Sequence, residues 1–245
     1  MILDIETAPR PDLVERFIKP FEAFDPSTVK YGNAKDPVKR AEILAQKTFE
    51  HASAELEYWH KAKERAALNP LTAEILCIGM HDGEGCIYLR DTPERVILED
   101  FWKAFLDDSV ERFYFWSGSG DPSQNFDVNM IIKRSWIRGV RVPPIAMDEA
   151  YLSRRFVDVT RRYLLGNRQE YCSLTRAADQ LGMYGVGTTL TPKTDSDPVR
   201  GENWYLWYTG CMKDVQQSPA QQKLLALQYL ENDLLTLKHI VDVLY

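Results

Sequence analysis

The residues of this chain best suited to chemistry are acids at both ends of the sequence. Asp4 and Glu6 lie two positions apart in Ile2–Thr7, which alternates like a β-strand, so both side chains are predicted to leave the same face. Acidic residues are poor strand formers, and two neighbouring like charges repel each other. A nearby positive charge is therefore expected to balance the pair. A divalent cation would supply it, because hard cations prefer carboxylate oxygens. The alternative is a half-exposed strand whose polar side chains face water.

A third acid lies on the last predicted helix, which begins at Ser218-Pro219. Tyr229 and Asp233 are four residues apart and therefore stack on one side of this helix. Each precedes a leucine of the apolar stripe by one position, which places both at the edge of the buried face, where a pocket wall would be. A boundary tyrosine and a solvated acid would show the same spacing. The stripe consists of Leu230, Leu234, Leu237, Val241 and Leu244.

A fourth acid, Asp127, follows Asn125-Phe126 after a predicted strand and a loop of small residues. It opens a predicted helix, and a helix N-terminus favours a charged carboxylate. An aspartate at this place is also a common helix N-cap, and that interpretation remains open.

The order of the three segments Ile2–Thr7, Asn125–Asp127 and Tyr229–Asp233 is more specific than any of them alone. In this order the chain resembles the DEDDy-type 3′–5′ exonucleases, which are named for four acids and carry a tyrosine in the third motif. Within that group it most resembles predicted exonucleases related to the proofreading domain of family-B DNA polymerases. The resemblance spans the chain except for an insertion at about 8–70.

The resemblance implies an α/β fold, namely a ribonuclease H-like mixed sheet flanked by helices, and a two-metal phosphodiester hydrolysis. It implies that Asp4 bridges two Mg²⁺ or Mn²⁺ ions and that Glu6, Asp127 and Asp233 complete their ligand shells. Tyr229 would orient the attacking water or help to deprotonate it. The expected function is release of nucleotides from single-stranded 3′ ends, with DNA as the expected strand.

Five further residues are predicted to contact the substrate: Thr7, Asn125, Phe126, Arg134 and Arg138. Family members usually carry an asparagine a few residues before the Phe-Asp of the second motif, whereas here Asn125 is adjacent to it. The two arginines follow helical spacing after Asp127 and could guide phosphates, or they could form a solvated helix face. They belong to a segment, 133–168, that holds nine basic and three acidic residues in a chain of net charge −6.

The composition excludes several classes of protein. The chain has 245 residues, no apolar run long enough for a membrane helix, and acids where a signal peptide needs basic and apolar residues, so a cytoplasmic protein is expected. Its four cysteines form no CxxC pair, which argues against a disulfide framework or a cysteine zinc site. The four histidines are interpreted as structural or surface residues.

The coarse order of elements predicts a single exonuclease domain over 1–245, with a helical insertion at about 8–70 between the first two strands. The insertion is predicted to be irregular over residues 8–35 and then to form a long amphipathic helix from the Asp36-Pro37 cap to about Asn69. A hairpin, 73–81 and 86–90, a helix to about 108, a strand at 113–116 and a helix at 127–138 follow. The aromatic residues at 204–208 are expected to pack in the core rather than stack on bases.

Two other functions remain open. The fold could serve as a non-catalytic module that binds single-stranded nucleic acid, or the exonuclease could act on RNA. No membrane partner is expected, whereas association with replication or repair proteins is compatible with the predicted activity.

Overall fold

A computed structural model describes residues 1–119, 121, 125–147, 154–184, 190–194 and 196–245. The chain divides into two compact units. The first consists of Met1–Ala8 and Glu74–Tyr245, and the second is Pro9–Ala73. The second unit falls where the sequence predicts an insertion, at about 8–70.

The first unit is an α/β structure built on a five-stranded mixed sheet. Its strands are β1 (Ile2–Pro9), β2 (Ala73–His81), β3 (Cys86–Arg90), β4 (Phe113–Phe115) and β5 (Phe156–Asp158). Its helices are α3 (Glu94–Leu106), α4 (Phe126–Ile137), α5 (Val159–Tyr163), α6 (Leu174–Gln180), α7 (Trp204–Tyr208) and α8 (Pro219–Leu244). The second unit holds α1 (Pro11–Phe17) and α2 (Pro37–Ala67).

The strand order is β3-β2-β1-β4-β5, with β1 in the centre. Strands β2 and β3 form the predicted antiparallel hairpin, in which Cys77 pairs with Arg90. Strand β4 runs parallel to both β1 and β5. This order and these directions are compatible with a ribonuclease H-like fold. A central strand is covered on both faces, which explains why β1 is apolar on one face and why Glu6 on the other is still buried.

Helix α8 packs on the face of the sheet that carries Asp4 and Glu6. Ile2, on that same face of β1, belongs to one buried cluster with Leu230 and Leu234 of α8. Gly79 of β2 allows close approach, since a Cβ there would lie 3.0 Å from Leu234 Cδ1. The predicted stripe of α8 holds for its first three residues, but Ile240 rather than Val241 is fully buried farther along. The strand–helix contact therefore fixes where α8 presents its acid.

The predicted helix starts are mostly confirmed. Asp36 accepts a hydrogen bond from the Val38 amide at the start of α2, and Ser218 forms a capping box with Gln221 at the start of α8. The Thr92-Pro93 pair resembles a helix cap in the sequence, but the cap position of α3 is Pro93, which supplies no side-chain hydrogen bond. The aromatic segment 204–208 forms α7, and Trp204 and Trp207 are buried as predicted.

In the second unit, α2 buries a different face from the one its sequence suggests. The apolar residues at helical spacing along α2 include Phe49 and Leu56, and both are exposed. The packed side instead presents His51 and Tyr58, whose rings lie 5.0 and 5.2 Å from the ring of Phe21. Contacts with residues 19–24, which are distant in sequence, thus override the hydrophobic periodicity.

Candidate active site

The first two acids are positioned by β1. Period-two alternation places Asp4 and Glu6 on one face of this central strand, as predicted. Asp4 is half-buried and accepts a hydrogen bond from the Ile5 amide at 3.0 Å. Glu6 is buried. Water therefore has little access to either carboxylate, and their charge must be balanced by neighbouring groups.

Asp127 enters the site at the start of α4. The N-cap of α4 is Asn125, whose side-chain oxygen accepts the Val128 amide at 3.2 Å. The alternative of Asp127 as the N-cap is therefore wrong, because its carboxylate lies two positions farther on, in the first turn. The residue is only 5% exposed. Within the described part of the chain, its carboxylate accepts no hydrogen bond, so this acid is available to a ligand.

Tyr229 and Asp233 lie one turn apart on α8, at the predicted edge of the buried face. A residue that the sequence does not point to lies between them. The ammonium group of Lys193 hydrogen-bonds to Asp233 and lies 3.2 Å from the centroid of the Tyr229 ring. The cation thus balances one carboxylate and also makes a cation–π contact.

The pKa values show that these acids share one electrostatic environment. Burial, and then the carboxylate of Asp233, raise the pKa of Asp4 to about 7, although Lys193 opposes this shift. Burial and then Asp4 and Asp233 raise the pKa of Glu6 well above its ordinary value. Asp127 is affected in the same way, by burial and then by Asp4. Burial also raises the pKa of Asp233, against the opposing effect of Lys193.

The structure therefore brings together Asp4, Glu6, Asp127, Asp233 and Tyr229, whose own pKa is raised by burial and by the nearby acids. A cavity of about 300 Å³ opens among Asp4, Tyr229 and Asp233, with Trp116 and Ser173 on its wall. A larger cavity of about 830 Å³ lies between α3 and residues 139–145, but it is lined by none of these acids. The candidate site is therefore the smaller cavity.

The donor set suits a hard divalent cation, since it consists of crowded, partly desolvated carboxylates that a cation would keep ionised. The side chains are not arranged as a closed ligand cage, because among the described residues no three His, Cys, Asp or Glu side chains are grouped so that they could hold a metal ion. Lys193 supplies part of the positive charge instead. The residues fit Mg²⁺ or Mn²⁺ in ligand chemistry, with Lys193 as an internal competitor at Asp233.

The predicted substrate contact of Arg134 is wrong. Its side chain is 0% exposed, and its guanidinium donates two hydrogen bonds to Glu94, at 2.7 and 2.6 Å. Arg138 also bonds to Glu94, which in addition accepts the Ile75 amide at 2.8 Å. Both arginines thus tie α4 to α3 and β2. A buried acid needs such partners, so this structural role accounts for the helical spacing of the two cations.

The other three predicted substrate contacts, Asn125, Thr7 and Phe126, differ in where the structure places them. Asn125 is buried, and its side chain caps α4. Thr7 is buried on the face of β1 opposite Glu6, so its predicted substrate contact is not supported by this placement. Phe126 is half-buried as the first residue of α4, and its contact stays a prediction.

Asp158, at the end of β5, is a further acid near the site that the sequence motifs do not include. Its carboxylate accepts a hydrogen bond from the Ser117 hydroxyl at 2.8 Å and caps α5 through the Thr160 amide at 3.1 Å. It lies close enough to Asp127 to raise the pKa of that residue. Asp158 lies in the predicted basic segment, and no motif distinguishes it from an ordinary helix cap.

No protein-family model, curated protein or solved structure matches the chain. Among the residues that the structure describes, no helix has both the length and the apolar character needed to span a membrane.

Proposed function

We propose that this chain is a metal-dependent 3′–5′ exonuclease on a ribonuclease H-like fold, acting on single-stranded DNA. The observation that carries the proposal is the convergence of acids from three distant segments. Asp4 and Glu6 on β1, Asp127 on α4 and Asp233 on α8 influence one another's pKa values beside the Tyr229 ring. These are the residues that the exonuclease resemblance names.

The sheet adds support at a coarser level. The order β3-β2-β1-β4-β5 places β1 beside β4, and the chain segment after β4 leads to Asp127. Helix α8 crosses the same face of the sheet and brings Asp233 to Asp4. These acids are far apart in the sequence, so only a tertiary fold of this kind can bring them into one site.

In the proposed reaction the four carboxylates would hold two divalent ions. The ions would stabilise the attacking and leaving oxygens of an in-line displacement at phosphorus. The phenol of Tyr229 orients the attacking water, and the Lys193 contact fixes the plane of its ring. Trp116 and Ser173, on the cavity wall, limit the space around the terminal nucleotide.

A nuclease assay with 5′-labelled single-stranded DNA tests the proposal. We expect the wild type to shorten the strand from its 3′ end and release mononucleotides with Mg²⁺ or Mn²⁺, but not with a chelator. Asp4→Ala and Asp233→Ala should abolish release. Asp242→Ala is the matched control, because Asp242 is an exposed acid on α8 that pairs with Lys238 at 2.6 Å. Retained activity in both site variants would refute the proposal.

A non-catalytic binding module is the second candidate, and the Lys193–Asp233 ion pair favours it. This pair balances one acid without any metal ion. Under that alternative the protein would bind single strands and leave them intact with Mn²⁺. Labelled DNA and RNA strands competing in the same assay also decide whether the strand cleaved is DNA or RNA.

A further inference from the structure

The connection from α5 to α6, residues 164–173, has features that the proposed active site does not use. Leu165 is 94% exposed and has a positive φ of 50°, a backbone conformation that bulky residues rarely adopt. Tyr171 is 68% exposed. Two large side chains thus lie in water on one short segment. Strained and exposed residues of this kind concentrate at binding sites.

This connection is attached to the wall of the active-site cavity. The Cys172 amide donates to the Gly118 carbonyl at 2.8 Å, and the Trp116 indole donates to the Cys172 carbonyl at 3.0 Å. Trp116 and Ser173 line the cavity. Tyr171 therefore lies two residues from the cavity wall, on a backbone that hydrogen bonds hold in place.

Gly118 provides the platform on which the Tyr171 ring rests. It has a positive φ of 74°, and a Cβ there would lie 2.7 Å from Cε2 of Tyr171. Any larger residue at 118 would displace the ring. The ring consequently has one edge on the Gly118 backbone while much of its surface is open to solvent, which is the arrangement of an aromatic stacking platform.

Three cationic side chains precede Tyr171 in the sequence. Arg161, Arg162 and Arg168 are exposed, and among the described residues none of them forms an ion pair. Arg162 lies over the Tyr245 ring at 4.5 Å, whereas the charges of Arg161 and Arg168 face solvent. The acid nearest in sequence, Glu170, accepts a hydrogen bond from Asn167 at 3.1 Å. Exposed arginines without ion pairs, close in sequence to an exposed aromatic ring, are suited to the phosphates and bases of an unpaired strand.

We propose that the 164–173 connection is a second contact for single-stranded nucleic acid, in which Tyr171 stacks on a base and Arg161 and Arg168 bind backbone phosphates. The inference rests on the proposed function, since it extends the strand from the active-site cavity across Tyr171. It assigns substrate binding to a surface that none of the three acidic motifs includes.

Binding of 5′-labelled oligothymidylate, measured by fluorescence anisotropy in chelator, tests this inference without any hydrolysis. We expect Tyr171→Ala to weaken binding about 10-fold, because the loss of one base–aromatic stacking contact weakens binding by a factor of about this size. Tyr171→Phe should bind within about twofold of the wild type, since the ring is kept. Tyr171→Leu should bind as weakly as the alanine variant, which separates stacking from simple filling of space.

The salt dependence of the same binding tests the arginines. For single strands each phosphate contact contributes about −0.7 to the slope of log K against log salt, so Arg161→Ala/Arg168→Ala should make the slope shallower by about 1.4. Arg95→Ala is the control, because Arg95 is exposed on α3 and pairs with Glu99 at 2.8 Å. Its slope should match that of the wild type.

Two results would overturn the inference: Tyr171→Ala binding as tightly as the wild type, or an unchanged salt slope in the double arginine variant. Each variant must also unfold at the same temperature as the wild type. Tyr171→Phe keeps the ring, so it also tests whether the contact with Gly118 is retained. The assay is independent of catalysis. A wild type that binds through Tyr171 but releases no nucleotide would refute the exonuclease and leave this contact established.

Discussion

The ammonium group of Lys193 lies 3.2 Å from the centroid of the Tyr229 ring and hydrogen-bonds to Asp233 one turn along α8. Lys193, a loop residue, thus contacts both Tyr229 and Asp233. Because Asp4 and Asp233 repel each other, the metal-free site depends on this internal cation for charge balance. A divalent ion bound at Asp233 would take over that role.

Replacing Lys193 by methionine should destabilise the metal-free protein, by about 1–3 kcal/mol, since a partly buried carboxylate loses its partner. Mn²⁺ should then stabilise the variant more than it stabilises the wild type. Urea unfolding in chelator and in Mn²⁺ measures both quantities. Lys238→Met is the control, because Lys238 forms an exposed pair on the same helix. Equal metal-free stabilities of Lys193→Met and the wild type would contradict the charge-balance role.

The stability of the metal-free protein should fall as the pH rises from about 4 to about 7. Burial and Asp233 raise the pKa of Asp4 to about 7 in the folded state, whereas the unfolded residue titrates near 4. The folded state therefore holds this proton more tightly, and the resulting stability is lost as the pH rises through 7. Asp4→Asn should flatten the profile, and Mg²⁺ should restore stability at pH 7. Thermal unfolding in chelator measures this; superimposable profiles of wild type and Asp4→Asn would be inconsistent with a shared acid site.

Glu94→Gln should cost about 3–5 kcal/mol of the free energy of unfolding, because it leaves the guanidinium of Arg134 buried with a weaker partner. Burial raises the pKa of Glu94, but hydrogen bonds from Arg134, the Ile75 amide and Arg138 outweigh burial and lower it overall. The stabilisation by ionised Glu94 is thus present above pH 4.5, its ordinary pKa, and lost as the pH falls through the lowered value.

Denaturant unfolding of Glu94→Gln and Glu99→Gln provides a matched comparison on α3. Glu99 forms an exposed pair with Arg95, which contributes at most about 0.5 kcal/mol. If both variants lose less than about 0.5 kcal/mol of stability, the ion pair of Arg134 with Glu94 does not stabilise the fold. A substrate contact of Arg134 would then have to be reconsidered.

Gly79→Val should move α8 and with it the third acidic motif. A Cβ at 79 would lie 3.0 Å from Leu234 Cδ1 and 3.1 Å from Leu230 Cδ2, so a larger side chain overpacks the strand–helix contact at a cost of about 1–3 kcal/mol. We expect nuclease activity to fall together with stability. Gly85→Val, in the β2–β3 turn with open space around it, should change neither. A fully active Gly79→Val variant would show that the position of Asp233 does not depend on this contact.

The elements that carry the acids follow from local sequence signals. The period-two pattern of β1 places Asp4 and Glu6 on one face, the β2–β3 hairpin has the predicted limits, and the cap at Ser218 starts α8. The stripe of α8 then places Asp233 at the edge of the core. These features depend on neighbours in the sequence, which is why they can be predicted without an alignment.

The remaining features depend on tertiary contacts. Lys193 lies 40 residues before Asp233 in a polar loop, so no periodicity relates the two. The spacing of Arg134 fits an exposed helix face, but the distant Glu94 draws the residue into the core. On α2 the rings of Phe21 and Phe24 select the packed face, and Phe49 is left exposed. In each case a partner distant in sequence overrides the local pattern.

Calorimetric titration of Mn²⁺ tests most directly whether the four acids form one metal centre. With a nucleoside 5′-monophosphate present as the product, we predict two Mn²⁺ ions per wild-type chain, as a two-metal site requires. Asp4→Asn should lose both ions, because Asp4 is expected to bridge them, whereas Asp242→Asn should bind them as the wild type does. Mn²⁺ binding that is absent in the wild type, or unchanged in Asp4→Asn and Asp233→Asn, would contradict the account.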